Sequence, residues 1–159
     1  MSHMDDAAIQ EVASSFPYLQ TIGLGTRYCW TEPLKITLNG LIALLAHCSH
    51  LREVSLAMDA TILDPITFQK PGGGVVNTAI TVLSVGCSSI DDPTGVAVVL
   101  SAVLPSLKKV TVEAAIHAGP DRDARKEKWE DVIERLGSLA MVRGQERQQA
   151  VLEFRSQQQ

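Results

Sequence analysis

Two short segments carry residue types that could bind a ligand. The first, His47-Cys48-Ser49-His50, places three potential zinc ligands within four residues. A structural zinc site usually needs four ligands, often as two spaced pairs, and the other cysteines, Cys29 and Cys87, have no partner nearby in sequence. We therefore interpret Cys48 as a core residue and predict no metal ligands.

The second segment, Lys70-Pro71-Gly72-Gly73-Gly74, has the glycine content of a phosphate-binding loop. A P-loop needs Gly-Lys-Ser/Thr at the start of a helix, whereas this lysine precedes the glycines and no GxGxxG spacing follows. A flexible turn is the preferred interpretation. The alternative is a small doubly wound α/β ligand-binding domain or enzyme that uses the Gly72–Gly74 loop.

Four aspartates could supply paired carboxylates for acid–base chemistry: Asp59, Asp64, Asp91 and Asp92. Asp64 and Asp92 each precede a proline, which is a helix-start signal, and capping accounts for them. No GxSxG motif is present, and no Ser or Cys has an obvious base partner in the sequence. We predict that the protein is not an enzyme and uses no cofactor.

An apolar pattern that recurs four times predicts the elements around these segments. Its copies begin at Leu19, Leu51, Ile80 and Leu107, and each copy is apolar at positions 1, 4 and 6. The offsets of 32, 29 and 27 residues are close to the leucine-rich-repeat range of about 20–29 residues. The pattern predicts parallel strands in sequence order at 19–24, 51–56, 80–85 and 107–112.

Helix signals fill the spacers between these strands. Thr37 is a predicted N-cap, Asp92-Pro93 opens a helix that ends near Leu104, and Asp64-Pro65 repeats the signal. Asp5–Ser15 reads as the end of one more helix. The predicted fold is therefore α/β, a short leucine-rich-repeat solenoid of about four strand–helix units. A doubly wound sheet is the rival, but its central strands usually read as continuous apolar runs.

Charge divides the chain at Gly119-Pro120. The last 39 residues hold 8 basic and 8 acidic residues, and Trp129, Val132, Ile133 and Leu136 have helical spacing there. This pattern predicts an amphipathic helix over about 122–141 that caps the stack. We divide the chain into an N-terminal tail and helix end (1–15), a repeat body (16–120) and a charged C-terminal helical cap and tail (121–159).

Composition narrows the function classes. A chain of 159 residues with 45% hydrophobic residues suits one domain with its own core. The net charge of -4 argues against nucleic-acid binding by bulk charge, and no apolar run approaches the ~20 residues of a membrane helix. Three cysteines without CxxC spacing indicate a reduced intracellular protein, cytoplasmic or nuclear.

Stacking the four copies aligns the outward residues in columns. Gly23, Ser55, Ser84 and Thr111 form the small-residue column. The flanking columns are Gln20, Arg52, Thr81, Lys108 and Thr21, Glu53, Val82, Lys109. We predict a partner-binding face made of Arg52, Glu53, Ser55, Thr81, Ser84, Lys108, Lys109 and Thr111. The alternative is a sheet face that is only solvated.

The residues around the first two strands resemble a known family. Phe16-Pro17-x-Leu19-x-x-Ile22-x-Leu24 and the segment Cys48–Leu56 resemble the leucine-rich-repeat regions of fungal F-box proteins. Asp59–Lys70, the triple glycine and Ile80–Val99 look like basidiomycete members, and the resemblance covers roughly residues 12–115.

The resemblance implies a role in binding proteins. In this family the F-box docks on the ubiquitin-ligase scaffold and the repeats bind the substrate. The sequence has no match to the Leu-Pro-x-Glu-type signature of an F-box. Only the second role carries over, that of a non-enzymatic protein–protein interaction module with a protein partner. We also expect self-association through the unpaired edge of the first strand, Leu19–Leu24, because exposed strand edges invite pairing.

Overall fold

The computed structural model describes residues 4–26, 35–64, 70–112 and 121–159. Four α-helices and six strands alternate along these ranges, with a short 3-10 turn at Pro71–Gly74. In chain order they are α1 (Asp6–Ser15), β1 (Thr21–Leu24), α2 (Leu38–His47), β2 (Glu53–Leu56), β3 (Asp59–Ala60), β4 (Val82–Ser84), β5 (Ser89–Ile90), α3 (Pro93–Val103), β6 (Lys109–Thr111) and α4 (Arg122–Gln157).

The main sheet has four parallel strands in the order β1-β2-β4-β6. The predicted parallel pairing and sequence order of the four pattern copies are therefore confirmed. A second sheet pairs β3 with β5, also in parallel, and the fourfold pattern did not predict it. Parallel strands joined through helices make the protein a mixed α/β fold.

Burial follows the apolar positions of the repeated pattern. Position 4 of each copy is buried, and these residues are Ile22, Val54, Leu83 and Val110. At positions 1 and 6 the two middle copies are buried, whereas Leu19, Leu24, Leu107 and Val112 of the outer copies are only partly buried. The middle strands of the sheet are therefore more completely buried than the two edge strands.

The junction from helix to strand has the same geometry in three copies. Phe16, Cys48 and Leu104 end their helices with φ between -128 and -111° and ψ between 66 and 74°. Each donates its N–H to the carbonyl four residues earlier, and its own carbonyl accepts an N–H from three residues later at 3.1 to 3.2 Å. The repetition seen in the sequence is thus also a repetition of backbone conformation.

Asn77 occupies the corresponding place in the remaining copy. Its side-chain Oδ1 accepts the N–H groups of Ala79 and Ile80 at 2.9 and 3.0 Å, and its Nδ2 donates to the carbonyl of Leu51 at 2.9 Å. Ile80 begins that copy, so the side chain supplies the acceptor that a backbone carbonyl supplies elsewhere. This buried asparagine ties the second and third copies together.

Two predicted helix starts are confirmed. Thr37 Oγ1 accepts the N–H of Asn39, and Asp92 Oδ1 accepts the N–H of Gly95 with Pro93 at the first helical position. The helix predicted after Asp64-Pro65 falls largely outside the described residues. In α1, Asp6 accepts from both the N–H and the hydroxyl of Thr37 at 2.6 Å, which joins α1 to the start of α2.

The C-terminal helix extends beyond the amphipathic span predicted over about 122–141. It continues through Gln157, because the sequence beyond residue 141 is rich in Gln, Arg and Glu, all compatible with a helix, and contains no proline. Trp129 and Val132 are fully buried against the body, as expected for a cap. Ile133, the neighbouring apolar residue of the predicted stripe, is exposed instead.

Candidate functional site

The outer face of the main sheet presents the predicted columns in register. Gly23 pairs with Ser55, Ser55 with Ser84, and Ser84 with Thr111 across the four strands. The next column pairs Thr21 with Glu53 and Val82 with Lys109. Side chains alternate along a strand, so these positions lie on the face opposite the buried position 4. The alignment of the columns is confirmed, whereas their partner-binding role stays a prediction.

The column at the N-terminal end of the strands is held by backbone hydrogen bonds. The N–H of Arg52 donates to the carbonyl of Gln20 at 2.8 Å, and that of Lys108 donates to the carbonyl of Thr81 at 2.9 Å. All four side chains of this column are exposed. Of the eight predicted site residues, five lie on three neighbouring strands, and Arg52, Thr81 and Lys108 immediately precede those strands. The charged residues lie at the N-terminal end of the strands, and the hydroxyl-bearing residues Ser55, Ser84 and Thr111 lie further along them.

The small-residue column is less exposed than the charged column beside it. Ser55, Ser84 and Thr111 are half-buried, and Thr111 Oγ1 donates to the carbonyl of Leu83 at 3.4 Å. The Oγ atom of Ser84 is buried, with no hydrogen-bond partner among the residues the structure describes. An unpaired buried hydroxyl is costly, and it can donate one hydrogen bond and accept others from a bound group.

The charges of the site are separated by neutral residues. Val82 lies between Glu53 and Lys109, and Thr81 lies between Arg52 and Lys108. Neighbouring strands are about 4.8 Å apart, so Arg52 and Lys108 are anchored roughly 10 Å from each other. Lys108 and Lys109 therefore form a basic pair on the last strand, and Arg52 stands apart from them.

The His47–His50 segment does not converge on one point. Cys48 is fully buried, with its Sγ 3.4 Å from the carbonyl oxygen of Phe16, and burial raises the pKa of this thiol. His47 and His50 are exposed; Nδ1 of His47 lies 2.8 Å from the carbonyl oxygen of Ala43, and His50 lies beside Tyr18. Among the described residues, no cluster of three or more His, Cys, Asp or Glu side chains could hold a metal ion.

The glycine segment forms a packing turn. Gly72 and Gly73 have φ of 68° and 58°, a conformation that glycine adopts without strain. Gly72 is buried, and a Cβ atom there would collide with Cγ1 of Val103 in α3. The N–H groups of Gly73 and Val75 donate to carbonyls within the same turn, at 3.0 and 2.9 Å. These donors are already used and do not form a phosphate cradle.

The aspartates considered for acid–base chemistry have structural partners. Asp59 Oδ1 accepts the N–H and the hydroxyl of Thr61 at 3.0 and 2.5 Å, and Asp92 caps α3. Asp91 lies 3.7 Å from the Lys128 ammonium group. Turn formation, capping and anchoring of α4 account for these three carboxylates.

Cysteine chemistry differs from the expectation. Cys48 is a free thiol, but Cys87 is disulfide-bonded, so the prediction of reduced cysteines is wrong for Cys87. The low cysteine count gave no sign of this, because pairing depends on tertiary proximity.

In the described ranges, no helix combines the length and the apolar character needed to cross a membrane.

No family model, curated protein or solved structure matches the chain.

The sequence pattern missed two features of the structure. One is Asn77, whose side chain completes a repeat junction. The only signal in the sequence was a polar residue at the place where the other copies have Phe16, Cys48 and Leu104. The other is an exposed second stripe on α4, which includes Gly137 and Gly144. Their seven-residue spacing is visible in the sequence, but the exposure of that side depends on how α4 packs on the body.

Proposed function

We propose that the protein is a non-enzymatic protein-interaction module, a short leucine-rich-repeat arc similar to the substrate-binding repeats of an F-box protein of a ubiquitin ligase. The observation that carries the proposal is the in-register column Gly23–Ser55–Ser84–Thr111, which runs across all four strands beside a column that contains Glu53 and Lys109. A polypeptide laid across the strands would meet small hydroxylic side chains and few steric obstacles.

The strand order supports a repeat architecture over a doubly wound one. A doubly wound sheet reverses its strand order at a switch point, where its ligand site forms. The order β1-β2-β4-β6 has no reversal, and the junctions at Phe16, Cys48 and Leu104 repeat one conformation. Both features are what stacked strand–helix units would give.

The expected partner segment is acidic at the end that meets the last strand. Lys108 and Lys109 are both exposed, and the sheet offers no acidic side chain beside them in the described columns. Attraction between exposed charges is screened over about 8–10 Å at physiological ionic strength, so added salt should weaken binding. The Ser84 hydroxyl, buried and without a hydrogen-bond partner among the described residues, would donate to the middle of the segment.

The test measures the affinity of fluorescent extended peptides, with and without acidic residues at one end, by anisotropy. Lys108→Glu combined with Lys109→Glu should weaken binding of the acidic peptides and remove the salt dependence. The control is Arg122→Glu with Lys126→Glu, which makes the same charge change on exposed positions of α4. Equal affinity for the wild type and the strand variant would refute the proposed face.

Self-association through β1 is a further part of this proposal. Among the described strands, β1 has a neighbour on one side only, since it is the first strand of the main sheet. Ile22 faces β2 through its backbone, and the alternation of a parallel strand turns the backbone of Gly23 toward the free edge. Gly23→Pro should therefore block edge pairing while the β1–β2 hydrogen bonds remain.

A further inference from the structure

The C-terminal helix has an exposed side that the body does not use. The residues of this side follow a strict alternation of four and three positions and are all exposed: Ile133, Gly137, Ala140, Gly144, Arg147, Val151 and Phe154. We call this set the α4 stripe. A spacing of four and three residues keeps side chains on one seam of a helix, as in coiled coils. Trp129 and Val132, which are buried against the body, do not belong to this set.

Two glycines in the α4 stripe serve no packing purpose within the described part of the chain. Among the described residues, a Cβ atom at Gly137 or Gly144 would meet no heavy atom within 4 Å. Glycine in the middle of a helix is unfavourable relative to alanine, so each position weakens a helix that is already solvent-exposed there. Neither a turn nor a close contact inside the protomer accounts for this. Glycine at a helix surface does allow a second helix to approach closely.

The size of the residues changes along the α4 stripe in a way that suits antiparallel pairing. The first part holds the small residues Gly137, Ala140 and Gly144, and the second part holds the larger residues Arg147, Val151 and Phe154. When a second copy runs antiparallel about a point between residues 145 and 146, every layer between residues 137 and 154 joins a small residue to a large one. The layers are Gly137 with Phe154, Ala140 with Val151, and Gly144 with Arg147, each joining residues from opposite copies.

The same register brings opposite charges together beside the seam. In an antiparallel pair of helices, the residue that directly follows a seam position on one copy can lie beside such a residue of the other copy. Here Glu134 of one copy meets Arg155 of the other, and twofold symmetry repeats the pair. Both side chains are exposed in the protomer and free to turn toward a neighbour. Shifting one copy by one heptad brings Ala140 against Gly144 and leaves Glu134 opposite Gln148, so the alternative register loses both forms of complementarity.

We propose that a second copy of this chain docks on the α4 stripe and forms an antiparallel twofold dimer of α4 helices. The interface uses the distal part of α4, where every residue from Gly144 onward is exposed. The sheet face stays free in this dimer, so each assembly presents two partner-binding faces. The proposal does not depend on the function assigned to the sheet face.

The first test measures mass by light scattering and sedimentation equilibrium over a wide concentration range. In the Gly23→Pro variant, in which pairing through the β1 edge is blocked, we expect a reversible monomer–dimer equilibrium. Gly144→Lys places a bulky charge opposite Arg147 of the other copy and should weaken the dimer at least tenfold. Val142→Lys adds the same charge to the opposite side of α4 and should leave it unchanged. A monomer at every concentration, or a dimer that tolerates Gly144→Lys, would overturn the proposal.

Charge exchange tests the register. Glu134→Arg and Arg155→Glu should each weaken the dimer roughly threefold to tenfold, since exposed pairs contribute modestly. The double variant restores opposite charges and should recover most of the affinity. Additive weakening in the double variant would contradict the pairing. Loss of the dimer in Gly23→Pro but not in Gly144→Lys would assign self-association to the β1 edge and reject α4.

Cross-linking tests the direction of the helices. Of the described cysteines, Cys48 is buried and Cys87 is disulfide-bonded, so an introduced thiol on α4 is readily distinguished from them. Chains with Ala140→Cys mixed with chains with Val151→Cys should form a mixed disulfide under mild oxidation. Ala140→Cys alone should not cross-link, because its two copies are about 16 Å apart along the helix. Self-cross-linking of Ala140→Cys would indicate parallel pairing and refute the proposal.

Discussion

The two halves of α4 belong to one continuous helix, but only the proximal half has residues buried against the rest of the molecule. In the proximal half, residues 122–143, Trp129 donates its Nε1–H to the carbonyl of Ser88 at 2.9 Å, and Arg143 donates to the carbonyl of Ser101. In the distal half, residues 144–157, every residue is exposed. The distal half spans about 21 Å at the rise of an α-helix, without support from the body.

Helix propensity alone does not account for the difference between the two halves of α4. Both halves are charged and contain good helix formers, so the local preference for a helix is similar. Isolated helices shorter than about 12–15 residues are marginal in water, because nucleation is costly and tertiary packing supplies most helical stability. The proximal half is anchored by burial, and the distal half continues the same helix into solvent. We therefore expect the two halves to differ in stability although their backbones are alike.

The largest expected effect is the loss of the proximal anchor. Trp129→Ala removes a fully buried indole and its hydrogen bond to Ser88, and it should lower the free energy of unfolding by about 3–5 kcal/mol. Urea unfolding followed by circular dichroism measures this loss. Val142→Ala, an exposed position on the same helix, should change stability by less than about 0.5 kcal/mol. Equal losses for the two variants would contradict the contrast between packed and exposed positions on α4.

A comparable loss is expected at the centre of the repeat stack. Leu83 is fully buried on β4, whereas Val82 beside it is 45% exposed. Leu83→Ala should cost about 2–5 kcal/mol, because it removes buried surface and leaves a cavity. Val82→Ala should cost far less, since it alters only the outer face. The midpoints of denaturant unfolding measure the difference between the two variants. A midpoint unchanged by Leu83→Ala would show that the inner face of the sheet is not packed as described.

A smaller loss is expected at the asparagine junction. Asn77→Ala leaves the N–H groups of Ala79 and Ile80 and the carbonyl of Leu51 without their side-chain partner. An unsatisfied buried polar group costs about 1–3 kcal/mol, so we expect a loss in that range. Thr78→Ala, at an exposed neighbouring position, is the matched control. Thermal unfolding of both variants checks the prediction, and it fails if Asn77→Ala is as stable as the control.

The smallest effect is a gain, and it separates the two halves most directly. Gly137→Ala and Gly144→Ala each improve helix propensity by about 0.5–1 kcal/mol at positions with open space for a methyl group. In dilute, monomeric protein Gly137→Ala should raise the free energy of global unfolding, since the proximal half of α4 unfolds together with the body. Gly144→Ala should only slow hydrogen exchange of nearby amides. An equal global gain from both would mean that the distal half unfolds together with the body.

Several elements follow from local patterns because their physical cause is local. Thr37 and Asp92 cap helices through side chains that reach backbone groups two or three residues away. The apolar positions 4 and 6 select the inner face of each strand, because side chains alternate. The fourfold spacing also predicted the register of the outer columns, including the row of Ser55, Ser84 and Thr111.

Other features depend on residues distant in sequence. The β3–β5 pair joins segments 30 residues apart, and two-residue strands have too little pattern to be recognised. The disulfide at Cys87 and the exposure of Phe16, which is 60% although Cys48 and Leu104 are buried, likewise depend on neighbours.

The sequence alone predicted the four parallel strands, their order and the inward residues, because the recurring apolar positions mark the buried face of each strand. It also determined the helix starts, which are local hydrogen-bond events. Only the tertiary structure decided which side of α4 is covered. Trp129 and Ile133 both belong to the apolar stripe that the sequence shows, but the indole reaches the carbonyl of Ser88 and becomes buried, whereas Ile133 stays in solvent. That choice exposes the glycines of α4, since a helix packed through one side must present the other.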